Sequence, residues 1–360
     1  MAEPSGKKIL IPHSRPYLGE EEVKSAGEVI RSGHIAQGER VERFEKEFCR
    51  GLGLGRGAAL SSGTAALYLS LSAMGVKPDD EVIIPSYVCT AVLHAVRRCG
   101  ASPVLADVDP RTGNMDPSDA ERRMSKRTRA MIVPHMFGLP AEMDRLLELD
   151  IPVIEDCAQA VGSTWRGKPV GALGVASAYS FYATKVMTTG EGGMAVSGSR
   201  QLVDKIIDIR DYDKKEQDLH RFNFKMTDIQ AGLGLVQISR LEFFIKRRRE
   251  IAGIYTRAFA PLGLVLPPVD AGHIYFRYII GLSGADDPEK WIQELKNKGI
   301  RCERPVFKPL HRYLGITGYP GTEKMYKRFI SIPVYPALGQ DQIDRVVQAV
   351  IEMRQKGKRI

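Results

Sequence analysis

The sequence predicts an α/β protein, with a large domain in which helices cover the faces of a sheet and a smaller C-terminal α+β domain. Between about residue 55 and residue 200, short apolar runs alternate with helical patterns, and that alternation marks an α/β sheet. From 226 to about 260, Met226, Ile229, Leu233 and Val236 fall at helical spacing, which reads as long helix leading away from the core. Beyond it the elements are shorter and mixed. The division falls near residue 250, giving a large domain over 1–250 and a small one over 251–360.

Each element has a local reason. The apolar runs at 82–84, 104–106, 130–133, 153–154, 176–181 and 194–196 have the length of buried strands. In AALSSGTAALYLSLSAMG an apolar run leads into Ser61-Ser62-Gly63-Thr64 and then into a helix whose Leu67 and Leu71 lie one turn apart. In EVIIPSYVCTAVLHAV the strand breaks at Pro85-Ser86, before a new helical pattern begins. Further on, 275–281 reads as a strand, 287–298 as a helix, 330–334 as a strand and 340–356 as a final helix.

Composition narrows the class of function. The chain has 360 residues, 43% hydrophobic and 26% charged, as expected of a soluble globular protein. No run approaches the length that crosses a bilayer, and MAEPSGKKILIP lacks an apolar segment long enough for an export signal. Cys49, Cys89, Cys99, Cys157 and Cys302 are scattered, odd in number and without CxxC spacing, which fits a reducing cytoplasm. Cys157 reads as a small buried residue, and the seven histidines show no metal-ligand spacing, so no metal is expected. The net charge of +9 gathers in KRRRE at 246–250 and in the C-terminal RQKGKRI, which read as an exposed helix face and a solvated tail. No nucleic-acid motif accompanies the charge.

The chemistry centres on AYSFYATKVMTTGEGGMAV, residues 178–196, which presents Lys185 between an apolar run and a glycine-rich turn. A lysine held in a partly dry pocket condenses with an aldehyde to a Schiff base, and pyridoxal phosphate is the obvious aldehyde. That cofactor also asks for an acid at its ring nitrogen, donors for its phosphate and a flat group over its ring. In IPVIEDCAQAVGS a short strand ends at Glu155 and Asp156, which places Asp156 where open α/β sheets bind ligands. Gln159 could face the same side of the ring, although an acidic pair in this position also serves to cap a helix. The turn before Gly63 and Thr64 opens a helix and so offers backbone amides to an anion, with Ser180 able to add a hydroxyl. Tyr87, just after Pro85-Ser86, is either the stacking aromatic or a core aromatic at a strand end.

The segments SSGTAAL, DDEVIIPSYVCTA, VIEDCAQAVGS, YSFYATK with TTGEGGM, and NFKMTDIQAGLGLVQISRLEFFIKRR together resemble the sugar aminotransferases of the DegT/DnrJ/StrS type. The resemblance runs from Ile11 to the late ISIPVYPAL, nearly the whole chain. It implies the fold type I arrangement of the aspartate aminotransferases, a large mixed-sheet α/β domain plus a smaller C-terminal α+β domain. It implies that Lys185 is the Schiff-base lysine and Asp156 the carboxylate on the pyridine nitrogen. It also implies that Gln159 lies near the ring, that Gly63, Thr64, Ala65 and Ser180 bind the phosphate, and that Tyr87 stacks on the ring. Asn223 resembles an asparagine that reaches the phosphate of the neighbouring subunit, with Lys225 close enough to take that part, so the resemblance implies a homodimer with a shared site. Relatives with histidine in place of the lysine dehydrate their substrates, and the lysine of this chain favours transamination.

The activity implied by the resemblance is a two-stage exchange, from an amino acid such as glutamate to a keto sugar, most readily a nucleotide-linked one. A free cyclitol or other cyclic ketone is the alternative acceptor, and a cofactor-binding regulator without turnover is a reading from a different class. His311 and Tyr313 in RPVFKPLHRYLG match a family region at the mouth of the site and are the candidate substrate contacts. No nucleic acid and no membrane enter the expected set of partners.

Overall fold

A computed structural model describes residues 11–217, 220–284 and 286–357. Most of the N-terminal MAEPSGKKILIP, and the last residues of the basic tail, lie outside that range.

The large sheet is assembled from β1 (Arg56–Leu60), β2 (Glu81–Pro85), β3 (Ser102–Ala106), β4 (Thr128–Pro134), β5 (Val153–Asp156), β8 (Ala176–Ser180) and β9 (Gly193–Ser197). Between β5 and β8 a small hairpin is formed by β6 (Thr164–Trp165) and β7 (Lys168–Pro169). The strand order in the large sheet is β1-β9-β8-β5-β4-β2-β3. The pairs from β3 through to β8 are parallel, whereas β9 runs antiparallel to both β8 and β1. The sheet is therefore mixed with one reversed strand. That reversal brings the carboxyl ends of β1, β5 and β8 and the amino end of β9 to one edge, where Leu60 and Ser180 both pair with Gly193.

Strand burial explains why these segments read as apolar runs. Every residue of β2, β5, β8 and β9 is buried, as a sheet covered on both faces requires. Alternate residues serve opposite layers: Val82 and Ile84 join one core cluster and Ile83 another. After α1 (Glu20–Ser32) comes α2 (Glu39–Leu52), and then α3 (Gly63–Ala73) and α4 (Thr90–Arg98) cover one face. The short α5 (Pro117–Arg122) and α6 (Met143–Leu147) follow, and α7 (Arg200–Ile209) completes the layer that holds α3.

The helix expected over 226–260 is two helices, α8 (Asp228–Ser239) and α9 (Leu241–Phe259). Arg240 breaks it, with φ −103 and ψ 3, and its guanidinium pairs with Glu21 at 2.7 Å and Glu22 at 3.1 Å on α1. The second half of α9 enters a separate core with α10 (Pro288–Asn297), α13 (Gln340–Gly357) and the two-stranded sheet of β10 (Tyr278–Gly281) and β11 (Phe329–Ile332). Ile11 belongs to this core too, bridging in parallel to Ile300. The strand expected from 275 begins only at Tyr278, because Tyr275 has φ +51 and the backbone before it bonds instead to the Phe137–Gly138 turn. The short helices α11 (Leu310–Leu314) and α12 (Pro320–Arg328) precede β11, and their apolar residues pack on the large core.

Candidate active site

The shared edge of β1, β5, β8 and β9 gathers most of the residues singled out from the sequence. Ser62 caps α3 by accepting from the Ala65 amide at 3.1 Å. The first-turn amides of Gly63 and Thr64 are left as donors that the helix itself does not use. Ser180 ends β8 directly against this turn, so that a Cβ added to Gly63 would lie 2.7 Å from the Ser180 Cβ. A Cβ on Gly193 would come within 2.3 Å of the Ser62 carbonyl carbon. Glycine at these two positions lets α3, β8 and β9 converge. Thr64 is exposed, whereas Ala65 and Ser180 are buried. Backbone donors and a hydroxyl at a helix start suit a phosphate.

Asp156 ends β5 and is 7% exposed. Its Oδ1 accepts from the Ala158 amide at 3.0 Å. Burial raises its pKa, and the Ala158 amide, Lys185 and His135 oppose that rise without cancelling it. A buried acid of this kind has room for one cationic partner. Gln159 is half-buried, and its Oε1 accepts from the Phe137 amide at 2.9 Å, which fixes that turn.

Lys185 follows β8 and is half-buried, with Nζ 5.4 Å from the centre of the Phe276 ring. Burial lowers its pKa. Asp156 pulls the other way, and Arg277 adds to the lowering. The result is an amine displaced toward its neutral, nucleophilic form. Lys185 and Asp156 thus influence each other electrostatically, and Ser180, on the strand before Lys185, packs against the start of α3. This donor set fits pyridoxal phosphate on chemistry alone: an amine for the aldehyde, an acid for the ring nitrogen and amides for the phosphate.

Tyr87 is not brought to the cleft. Its side chain is fully buried, its ring meets Phe137 edge-on at 6.5 Å between centroids, and its hydroxyl has no hydrogen-bond partner. The residue of that turn open to the cleft is Cys89, which keeps accessible surface and interacts electrostatically with both Asp156 and Lys185. Burial raises its pKa, so the thiol stays protonated.

His311 is 4% exposed, and both ring nitrogens are engaged, Nδ1 with Ser86 Oγ at 2.7 Å and Nε2 with Glu323 Oε1 at 2.8 Å. It ties α11 to the end of β2 and to α12. Tyr313 is 44% exposed, with the Lys308 Nζ 4.5 Å from its ring centre. Asn223 is exposed, and its segment is held to the end of β1 by the Ser61 amide bonding to the Phe224 carbonyl at 2.8 Å. Lys225 is occupied, its Nζ paired with Asp211 at 2.8 Å.

Sequence reading missed Cys89, Phe276 and Arg277. For Arg277 a signal existed, a single cation inside the apolar run IYFRYII. It missed also that His135, Glu155 and Cys157 lie with ligand-type atoms within 4.8 Å of one another, all buried. Those atoms are largely spent on structure. The His135 Nδ1 accepts from the Ala141 amide at 3.0 Å, which leaves Nε2–H to donate to Glu155 at 3.0 Å. Glu155 also accepts from the amides of Gly171, Leu173 and Gly174 at 2.7–2.8 Å. Among the described residues, no helix is long and apolar enough to cross a membrane.

Comparison with known proteins converges on one family. The model of the DegT/DnrJ/EryC1/StrS aminotransferase family matches residues 16–351. The GDP-perosamine synthase of Escherichia coli O157:H7 is 33% identical, over 95% of this chain and 98% of its own. Among solved structures, a putative sugar aminotransferase, Spr1654 from Streptococcus pneumoniae, in its PLP-form, superposes with a TM-score of 0.91 at 27% identity, covering 96% of this chain and 99% of that one. DesI, solved in the presence of its TDP-sugar product, gives a TM-score of 0.91 at 27% identity, over 99% and 96% of the two chains.

Proposed function

The chain belongs to the DegT/DnrJ/EryC1/StrS aminotransferase family and is a pyridoxal phosphate-dependent enzyme, and on that premise we propose that it moves an amino group from an amino acid, L-glutamate by family analogy, to a nucleotide-linked keto sugar. The observation that carries the reading is the electrostatic influence of Lys185 and Asp156 on each other, together with Ser180 packed against the start of α3. Support for a nucleotide-linked acceptor comes from the names of GDP-perosamine synthase and of the DesI structure. The net charge of +9 adds to it, since a basic surface steers a dianionic diphosphate. A homodimer acting in the cytoplasm completes the proposal.

When bound, pyridoxal phosphate supplies an electrophilic carbon for amines and a ring that draws electrons from the donor's Cα–H bond. The proton movements fall to the chain. Lys185, whose burial favours the neutral amine, takes the proton from the donor's Cα and gives it up again, acting as base and then as acid. Asp156 would hold the ring nitrogen of the bound cofactor and keep it protonated, a cationic partner suited to a buried carboxylate. The free amides at the start of α3, with Ser180, would hold the phosphate. Cys89, rather than Tyr87, is the side chain we place beside the ring.

The test is the absorbance spectrum of the purified protein before and after L-glutamate. A shift of the lysine-bound band to the amine form, with 2-oxoglutarate released, is the expected outcome. A panel of keto sugars with and without nucleotide then reads the acceptor: restoration of the band by free sugars or cyclitols alone would refute the nucleotide-linked assignment.

A further inference from the structure

We propose that Gln237 on α8 is a positioning residue for Lys185, tying the loop that carries the lysine to the N-terminal segment and to α1. The inference rests on the part given to Lys185 in the proposed function. The loop leaves the sheet at the end of β8 and returns to it at β9. Its neck is closed at Phe181, whose carbonyl accepts from the Thr189 amide at 2.9 Å and from the Thr188 hydroxyl at 3.1 Å. Lys185 stands midway between Phe181 and Thr189, and its amide donates to the Tyr182 carbonyl at 2.9 Å. These bonds close the loop on itself and fix its shape, not its tilt.

Tilt requires a directional bond to another element. Val186 and Met187 are buried among apolar neighbours, but apolar contact is non-directional. The Thr188 amide supplies the direction, donating to Gln237 Oε1 at 3.2 Å. The Gln237 side chain can serve in only one orientation. Its Nε2 donates to the Tyr17 carbonyl at 2.8 Å and to Glu22 Oε1 at 2.7 Å. A flipped amide would set Nε2 against the Thr188 N–H and its oxygen against two acceptors, losing all three bonds. Glu22 is itself fixed, accepting from the Gly19 amide at 2.8 Å and pairing with Arg240 at 3.1 Å. Gln237 and Glu22 are both buried, so a lost bond is not made good by bulk water.

The same amide therefore holds two segments that meet beside the lysine. Tyr17 belongs to the N-terminal segment, and the earlier residues His13 and Ser14 of that segment border one narrow cavity with Thr184, the neighbour of Lys185 in sequence. Downstream of the lysine, Thr188 is held by Gln237. Release of that hold lets the loop shift against the segment it faces. Proton transfer is sensitive to such a shift, since a misplacement of about 1 Å costs on the order of 100-fold in rate.

The experiment compares the holoenzyme with its Gln237→Met and Gln237→Glu variants. Methionine fills similar space and leaves the Thr188 amide without its acceptor. Glutamate keeps that acceptor, and a carboxyl pair with Glu22 retains a shared proton. Both substitutions lower the urea midpoint, so a rate that merely followed stability would fall in both. At saturating L-glutamate the donor half-reaction slows roughly 10- to 100-fold in Gln237→Met and stays within about threefold of wild type in Gln237→Glu. Hydrogen exchange across 182–190 quickens in Gln237→Met alone. Affinity for pyridoxamine phosphate, which needs no bond to the lysine, stays within about twofold of wild type in both variants. An unchanged rate or unchanged exchange in Gln237→Met, equal slowing in both variants, or a loss of pyridoxamine phosphate affinity that matches the loss of rate overturns the assignment. Should Gln237→Met fail to fold, Gln237→Glu decides by itself, since slowing of about 10-fold or more there refutes the proposal. A visible band that survives Lys185→Ala would instead overturn the part given to Lys185, a separate result.

Discussion

At Lys185 the competition among neighbours sets the working pH. Burial and Arg277 favour the neutral amine, while Asp156 favours the cation, and the net direction is downward from the ordinary value of a lysine. The neutral amine is the base, so the rate of Cα proton abstraction should rise with pH through that lowered pKa and level off above it. Falling pH should protonate the amine and slow the step. The rate of the donor half-reaction at saturating donor, followed against pH, checks the sign: a rate that climbs as pH falls through that limb contradicts Lys185 as base. Lys185→Ala should remove the visible band of the lysine-bound cofactor and lower turnover by roughly 100- to 10,000-fold. Much of this site was legible from local pattern, because Asp156, Ser180 and Gly63 each stand where a strand ends or a helix begins. The side chain we propose beside the ring was not, since Tyr87 and Cys89 share one irregular turn. Which of them opens to the cleft is decided by Phe137 packing on the tyrosine.

At the scale of elements, two helices receive their caps from distant carboxylates. Helix α2 begins after Gly38, which has no side chain to cap it, and Asp228 supplies the acceptors, taking the amides of Gly38 at 2.8 Å and Val41 at 3.0 Å. Helix α12 begins after Tyr319 without a side-chain cap, and Asp107 at the end of β3 accepts from the Gly321 and Thr322 amides, each at 2.7 Å, and from the Thr322 hydroxyl at 2.8 Å. Asp107 is 8% exposed, so its removal strands buried donors. Asp107→Ala should therefore destabilise the protein by about 3 kcal/mol, read as a lower urea midpoint, with Asp107→Asn recovering part of the loss. An unchanged midpoint for the alanine variant would mean that water satisfies those donors. Such caps leave no trace in local sequence, which is why the strands of the large sheet could be read from their apolar runs while the starts of α2 and α12 could not. The same holds for the break at Arg240, which depends on Glu21 and Glu22 more than 200 positions away.

At the scale of the whole molecule, the proposed homodimer would set another copy of the chain against the surface around Asn223. Phe222 is 41% exposed and Tyr212 60%, close in sequence to the exposed Asn223. Aromatic surface of this kind suits an interface. The Asn223 Oδ1 accepts from the Lys225 amide at 3.2 Å, and Lys225 itself is held by Asp211. Of the two candidates for reaching a partner's phosphate, Asn223 is therefore the freer. In a twofold-symmetric dimer its role can be tested by mixing two defective chains. Lys185→Ala lacks the lysine and Asn223→Ala weakens the phosphate contact, so each homodimer should be poorly active when cofactor is limiting. A mixed dimer holds one site with both defects and one with neither, provided that each site takes its lysine from one chain and its asparagine from the other. Random mixing makes about half of the dimers mixed, and each has one sound site, so activity should recover to about a quarter of wild type. If Asn223 served the site of its own chain, every site in the mixture would keep one defect and the activity would remain at the level of the parents.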